Sequence, residues 1–178
     1  MSLDFIGEEQ TLKDILTTRE ERVQYQQYLL KKYGKTIVSY KLNIPGPIKY
    51  NSLIKEIFDE GLLSFKSKLN DASIGIVDEH IVYKNSGPEY FAVIDIPSLI
   101  IKELTAKIEE THALGRIYDF DVLNSKGEHI ERQEVGIEVR KCLLCDRNAI
   151  ECGRSRNHEV SELIDKIESI ALHYLGRK

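Results

Sequence analysis

The segment Gly115-Arg116-Ile117-Tyr118-Asp119-Phe120-Asp121-Val122 carries the clearest pattern in the chain. Its β-branched and aromatic residues predict a strand. Strand side chains alternate between faces, so Asp119 and Asp121 project from one side and the apolar residues between them from the other. Two carboxylates about 7 Å apart along a strand can converge on a hard cation such as Mg²⁺. The alternative interpretation is an edge strand with two solvated acids.

The setting of the two aspartates favours an anionic ligand. Arg116 precedes the strand, and a guanidinium suits bidentate ligands such as phosphate. Apolar residues flank the acids, where like charges repel unless something neutralises them. His112, slightly upstream, is a candidate general base or phosphate ligand, although a lone histidine is more often structural.

Composition narrows the class of protein. The 178 residues predict one domain over 1–178, and 42% apolar residues suffice for a core. A net charge of −4 argues against nucleic acid as a partner. No apolar run has membrane-spanning length and no signal-peptide pattern is seen, so we expect a cytoplasmic protein with no membrane partner.

Periodicity and turn residues predict the order of the elements. In chain order they are a helix over 11–33, a strand over 36–44, a helix from 51 that Gly61 breaks or bends, strands over 72–83 and 90–96, a helix over 97–111, the strand with the aspartates, a partner strand over 128–134 and a last helix from 159. From 36 to 122 this is the split β-α-β-β-α-β arrangement. It predicts an α+β fold: an antiparallel or mixed sheet with helices on one face, an added hairpin strand, and N- and C-terminal helices.

Residues 140–158 form a Cys/Arg-rich segment. Its three cysteines, odd in number and close together, favour free thiols or a metal site over a disulfide scaffold. The spacing Cys142-x2-Cys145-x6-Cys152-x5-His158 offers three thiols and an imidazole that a tetrahedral Zn²⁺ could use. The alternative is three reduced thiols in a polar loop.

The same segment is locally basic, with five Arg or Lys against two acids. Arg154, Arg156 and His158 precede the last predicted helix, whose N-terminus would favour an anion. A solvated basic loop is the alternative, and His158 cannot easily serve both zinc and phosphate. Lys49, after the rigid turn Pro45-Gly46-Pro47, is a weaker phosphate candidate and otherwise a surface charge.

Three stretches together resemble one family: 43–49 (NIPGPIK), 109–122 (EETHALGRIYDFDV), and CLLC at 142–145 with CGRSRNH at 152–158. The chain resembles the apo-citrate lyase phosphoribosyl-dephospho-CoA transferases, also called citrate lyase holo-acyl-carrier-protein synthases. The likeness covers nearly the whole chain in the right order. The run Arg19-Glu20-Glu21-Arg22 is similar to the opening helix of that family.

The resemblance implies a nucleotidyltransferase-type reaction. The donor would be 2′-(5″-triphosphoribosyl)-3′-dephospho-CoA, the acceptor a serine on the acyl carrier protein (gamma) subunit of citrate lyase, and the leaving group diphosphate. The rival from another class is a zinc-knuckle-type binding module for RNA or protein, with the two aspartates as an incidental surface pair.

Roles for individual residues follow from this reaction. Asp119 and Asp121 would hold Mg²⁺, which offsets charge on the leaving diphosphate. Arg116 would grip phosphate. Arg154 and Arg156, and more weakly Lys49, would bind the triphosphate or the CoA diphosphate. One of the aspartates, or His112, would take the proton of the attacking serine, which the partner supplies.

Overall fold

The computed structural model of the protein describes residues 6–177, and its main elements follow the expected order. They are α1 (Leu12–Tyr33), β1 (Thr36–Leu42), α2 (Ser52–Asp71), β2 (Ile76–Val82), β3 (Glu89–Ile94), α3 (Ser98–Thr111), β4 (Tyr118–Leu123), a 3₁₀ helix (Arg132–Val135), α4 (Ala149–Arg154) and α5 (Val160–Tyr174). The α+β class is confirmed. Within the described residues, no helix combines the length and apolar character needed to cross a bilayer.

The four strands form one antiparallel sheet in the order β2-β3-β1-β4. This places the first and last strands of the split β-α-β-β-α-β unit side by side, as expected. In the register of β1 with β4, Lys41 lies opposite Asp119 and Ser39 opposite Asp121. The pairing therefore brings a lysine to the two acids.

The main core lies on one face of this sheet, beneath α2, α3 and α5. Tyr40 is fully buried there, between the rings of Phe58 and Phe120 at centroid distances of 4.8 and 4.2 Å. Tyr118 meets Tyr40 edge-on at 5.8 Å. Full burial of side chains of this size contributes about 1.5–3 kcal/mol each, so the aromatic layer is a main source of stability.

The opposite face carries α1, the N-terminal helix outside the split unit, whereas the unit's own helices α2 and α3 share one face as expected. Helix α1 begins at Thr11, whose side chain forms a capping box with Asp14. Its C-terminal half covers a second apolar cluster built on Leu29, Ile37 and Phe91. The N-terminal half of α1 runs past that cluster, beside the part of the sheet where the two aspartates project.

The predicted break at Gly61 is wrong, because α2 runs unbroken through it. A Cβ at this position would lie 2.0 Å from Tyr40 Oη and 2.8 Å from Tyr118 Cε1. The glycine therefore allows a close approach of the helix to the tyrosine layer.

The predicted partner strand over 128–134 is also wrong. Only a single bridge, Leu123 to His129, joins this stretch to β4, and the 3₁₀ helix follows. The outer edge of β4 is taken by α3 instead. Glu109 Oε1 accepts the N–H of Phe120 at 2.8 Å, and Lys102 Nζ donates to the Phe120 carbonyl at 3.0 Å. Side chains of a helix thus cover an edge that another strand would otherwise pair with.

We expect Gly61→Ala to lower the free energy of unfolding by about 1–3 kcal/mol, the usual cost of overpacking a core. Denaturant unfolding measures the change. Gly153→Ala is the matched control, since Gly153 is helical and a Cβ there meets nothing within 4 Å. Equal stability of the two variants would contradict the close approach.

Candidate active site

Lys41 lies between the two aspartates. Its Nζ contacts Asp119 Oδ2 and is 3.0 Å from Asp121 Oδ2. The two acids share a face of β4, as predicted, and both are half-buried. Their repulsion is relieved because one ammonium group lies between them. The carboxylates thus converge on one cationic group.

Asp119 and Lys41 are both charged at neutral pH. Burial raises the pKa of Asp119, but Lys41 and Arg140 outweigh it and hold that pKa below its ordinary value. Burial lowers the pKa of Lys41, and the two aspartates more than reverse this, so the pKa of Lys41 is raised.

Glu109 holds the strand between the two aspartates in place. This carboxylate is buried and binds the backbone N–H of Phe120. It also pairs with Arg140 Nη2 at 2.8 Å and with Arg132 Nη2 at 3.3 Å. Arg140 in turn lies 3.9 Å from Asp119 Oδ1, so it links the buried Glu109 carboxylate to the half-buried pair.

A basic cleft of about 200 Å³ opens beside Asp119. Its wall contains four cationic side chains, those of Arg19, Arg22, Lys41 and Lys49. Arg22 is neutralised by Glu89 and Lys41 by the aspartates. Arg19 and Lys49 have no acidic partner within residues 6–177.

Lys49 is held inward by its own turn. Its Nζ donates to the Ile44 carbonyl, and burial together with the charge of Arg19 lowers its pKa. Two neighbouring cations without counter-ions favour an anion between them.

A larger cavity of about 760 Å³ lies next to the cleft. Its charged lining is basic apart from Glu159, and apolar side chains complete it. The main contributors are Arg116, Arg140, Lys141, Leu143, Arg156, His158 and Leu163. Asn43, just after β1, lines both cavities. Arg140 faces the larger cavity while contacting Asp119, which faces the smaller one. Asp119 therefore lies where the two cavities meet.

Arg116 lines the larger cavity but is also a structural anchor. Its Nη2 donates to the carbonyls of Lys141 and Cys142, the latter at 2.7 Å. Its Nε is buried without a hydrogen-bond partner in the described part of the chain. If Arg116 binds phosphate as predicted, its guanidinium must at the same time bind the backbone of the Cys/Arg-rich segment.

The structure brings the four predicted zinc ligands together. The ligand atoms of Cys142, Cys145, Cys152 and His158 all lie within 4.8 Å of one another. Burial raises the pKa of the Cys142 thiol, but N–H groups of Leu144 and Cys145 bring it down to about 7. Burial and hydrogen bonds to the other thiols raise the pKa of Cys152 to about 11.

His112 is not brought to the aspartates. Its Nδ1 accepts the N–H of Leu114 at 3.0 Å and lies 3.2 Å from Tyr118 Oη. Tyr118 projects from the opposite face of β4 to Asp119. A role for His112 as the base beside the acid pair therefore has no support in the geometry.

Acidic side chains lie at the start of the last helix, where the sequence predicts an anion site. Glu159 and Glu162 form a capping box there, so carboxylates already fill the place of an anion. Arg154 ends α4 and is exposed outside the larger cavity. Arg156, with a left-handed φ of 48°, lines that cavity.

Sequence reasoning missed Lys41 and Arg140 as site residues and assigned no chemistry to Arg19 or Arg22. Strand alternation could have shown that Lys41 faces away from the aromatic core, as Asp119 does. Its position opposite Asp119 depends on the strand register, which periodicity alone does not give.

The chain was also compared with known proteins. The model of the family "Apo-citrate lyase phosphoribosyl-dephospho-CoA transferase" matches residues 10–174. The chain belongs to this family. A "Probable apo-citrate lyase phosphoribosyl-dephospho-CoA transferase" of Vibrio cholerae is 36% identical over 165 residues, covering 92% of this chain and 93% of the relative.

Other relatives agree. The apo-citrate lyase phosphoribosyl-dephospho-CoA transferase of Citrobacter koseri is 32% identical over 160 residues, or 90% of this chain and 87% of the relative. "Protein CitXG" of Haemophilus influenzae is 34% identical over 168 residues, which are 94% of this chain but 36% of that longer protein. The chain is thus an enzyme of a transferase family, and the binding-module alternative is not favoured.

The half-buried position of His112 predicts a pH-dependent loss of stability. Burial lowers its pKa, so below about pH 6.5 the unfolded chain takes up a proton that the folded protein does not. Stability should fall as the pH drops through this range, by no more than about 1.4 kcal/mol per pH unit for one proton. His112→Asn keeps an acceptor for the Leu114 N–H and should flatten the dependence. The free energies of unfolding of the wild type and of His112→Asn are compared between pH 8 and 5.5. Parallel curves of this free energy against pH would contradict the assignment.

Proposed function

We propose that this chain transfers the 2′-(5″-triphosphoribosyl)-3′-dephospho-CoA group to a serine of the acyl carrier protein subunit of citrate lyase. The serine oxygen attacks the ribose-linked phosphorus, a phosphodiester bond forms, and the bond to diphosphate breaks. The observation that carries this proposal is the acid pair beside a basic cleft, in a chain of the transferase family.

The basic cleft suits the triphosphate. Arg19 and Lys49 are the two cations there without acidic partners in the described chain, and a polyphosphate is an anion that can contact both. The protein has a net charge of −4, so attraction of the donor depends on a local field. The cleft supplies such a field beside the reacting acids.

The acid pair fits a magnesium ion. The Oδ2 atoms of Asp119 and Asp121 already converge on one cationic group, the Lys41 ammonium. Mg²⁺ typically binds one or two carboxylates and completes its shell with phosphate oxygens and water. When bound, it would neutralise charge on the departing diphosphate. Lys41 lines the cleft, so its ammonium can turn from the carboxylates towards phosphate.

The proton of the serine needs an acceptor on the acid face of β4. We assign it to Asp121, which pairs with Lys41, whereas Asp119 pairs with Lys41 and also lies near Arg140. Positioning of the carrier serine and electrostatic stabilisation of the phosphoryl group account for the remaining rate gain.

The larger cavity suits the dephospho-CoA part of the donor. Its mixed apolar and basic lining matches a molecule that joins a base and a pantetheine arm to phosphates. Arg156 faces this cavity, so it is the stronger of the two arginines predicted to bind the donor. Arg154 lies outside and would act on the donor only at longer range.

Asp119→Asn and Asp121→Asn should each reduce transfer at least about a hundredfold, because a charge-stabilising group at the reacting phosphate is lost. The fold should survive, since Lys41 keeps one carboxylate partner in each variant. The assay incubates enzyme, apo carrier, donor and Mg²⁺ and reads the intact mass of the carrier.

Asp95→Asn is the matched control, an exposed aspartate paired with Lys35 at 2.6 Å away from both cavities. It should transfer at the wild-type rate. Wild-type turnover in both active-site variants would refute the role of the acid pair.

Arg19→Ala and Arg156→Ala should each weaken donor binding by about 1.5–3 kcal/mol, the range for hydrogen bonds to charged groups. Arg154→Ala should have a smaller effect. Calorimetry with the donor at two salt concentrations gives the affinities, and added salt should weaken wild-type binding more than that of the variants.

Arg177→Ala is the control for general loss of positive charge, because Arg177 pairs with Glu56 on the surface. If all four variants bind the donor equally, neither cavity holds its phosphates.

A further inference from the structure

The Cys/Arg-rich segment, residues 140–158, has little apolar packing of its own. Only Leu143 packs against the main core from this stretch, and Ile150 is 63% exposed. The regular structure is a single bridge between Lys141 and Asn148 and the six-residue helix α4. A segment with so small a core usually needs a staple such as a disulfide or a metal ion.

Four soft or borderline metal ligands meet in the middle of this segment. Cys145 Sγ lies 3.8 Å from Cys152 Sγ, and His158 Nε2 lies 3.3 Å from Cys145 Sγ. Sulfurs bound to one tetrahedral zinc at 2.3 Å are about 3.8 Å apart. The two thiols are thus already separated by the edge of such a tetrahedron.

The backbone presents these ligands in a defined way. Cys142 and Cys145 lie in a tight loop that closes where the Cys142 N–H bonds the Arg147 carbonyl at 2.7 Å. Cys152 comes from α4, and the Asn157 N–H returns to its carbonyl at 3.3 Å. Within the loop, the Leu144 N–H points at Cys142 Sγ at 3.5 Å, a contact that stabilises a thiolate.

We propose that Cys142, Cys145, Cys152 and His158 bind one structural zinc ion. Three thiolates and one imidazole fill a tetrahedral shell, leaving no open position for water or substrate, so the ion would not act in catalysis. Binding releases the protons of the thiols and stabilises the folded segment. His158 is then a metal ligand, and its predicted contact with phosphate is given up.

A disulfide explains the cluster less well. A bond between Cys145 and Cys152 would require their sulfurs to approach from 3.8 Å to about 2.05 Å. Such a disulfide would also not explain why Cys142 and His158 lie close to the same point. A shared metal accounts for all four.

The zinc would also support the wall of the larger cavity. Arg116 is bound to the carbonyls of Lys141 and Cys142, and His158 and Arg156 face the cavity. If the zinc fixes these backbone atoms, it also fixes the Arg116 guanidinium, which is bound to them from the start of β4. This proposal does not depend on which group the enzyme transfers.

Metal analysis of untagged protein tests the site. Purified wild-type protein should carry about one zinc per chain, and a strong chelator should remove it while lowering the melting temperature. Protein loaded with Co²⁺ instead should show thiolate-to-cobalt charge-transfer absorption. Limited proteolysis should cut within residues 140–158 only after the metal is removed.

Matched variants separate a specific site from incidental metal. Cys145→Ser should lower the zinc content well below one per chain, whereas His158→Cys, which keeps four ligands, should retain it. His173→Asn, an exposed histidine in α5, should leave it unchanged. Folded wild-type protein without zinc and with three freely titratable thiols would overturn the proposal, as would an intact mass two daltons lower from a disulfide.

Discussion

The buried carboxylate of Glu109 is the interaction on which the site geometry depends. It joins α3 to the free edge of β4 through the Phe120 N–H, and it binds Arg132 and Arg140 from the chain that follows. A buried acid is costly unless it is paired and hydrogen-bonded, and here both conditions are met. Loss of one partner from such a group typically costs about 3–5 kcal/mol, because the remaining charges stay buried without compensation.

That anchoring has a direct consequence for the chemistry. Phe120 is the residue between Asp119 and Asp121, and α3 binds both its N–H and its carbonyl. On one side β4 is held by the ladder with β1, and on the other by side chains of a helix. The two carboxylates are therefore mounted on a strand that is hydrogen-bonded along both edges, and such anchoring is what a preorganised site for a transferring phosphoryl group requires.

The sequence predicted the parts of the fold that depend on local alternation and periodicity. The pattern of β4 already separates an aromatic face from an acidic one, and the order of elements gives the split sheet. The errors concern long-range packing. Judged from its sequence neighbours alone, Gly61 looks like a helix breaker. In the fold it allows α2 to approach Tyr40 closely. Residues 128–134 look like a strand, but α3 has already covered the edge that they would pair with.

The candidate site shows the same division between residues that a local pattern predicts and residues that only long-range packing brings in. Asp119, Asp121 and the zinc-like cysteine spacing are visible as motifs because their partners are close in sequence. Lys41 and Arg19 come from β1 and α1, and no local pattern joins them to the aspartates. Only the strand register and the passage of α1 over the sheet bring them to the acid pair.

The acidic composition of the protein is compatible with a polyphosphate ligand because its charges are locally matched. Around the cleft, Glu89 neutralises Arg22 and also binds Lys84 at 2.9 Å, and Glu109 neutralises Arg140. Among the cations that line the cleft within residues 6–177, these pairs leave Arg19 and Lys49 without an acidic partner. Lys41 completes the arrangement, since its ammonium pairs with both aspartates. The proposed attraction of a polyphosphate thus depends on which cations are left without acidic partners in the described residues, a property that net charge does not record.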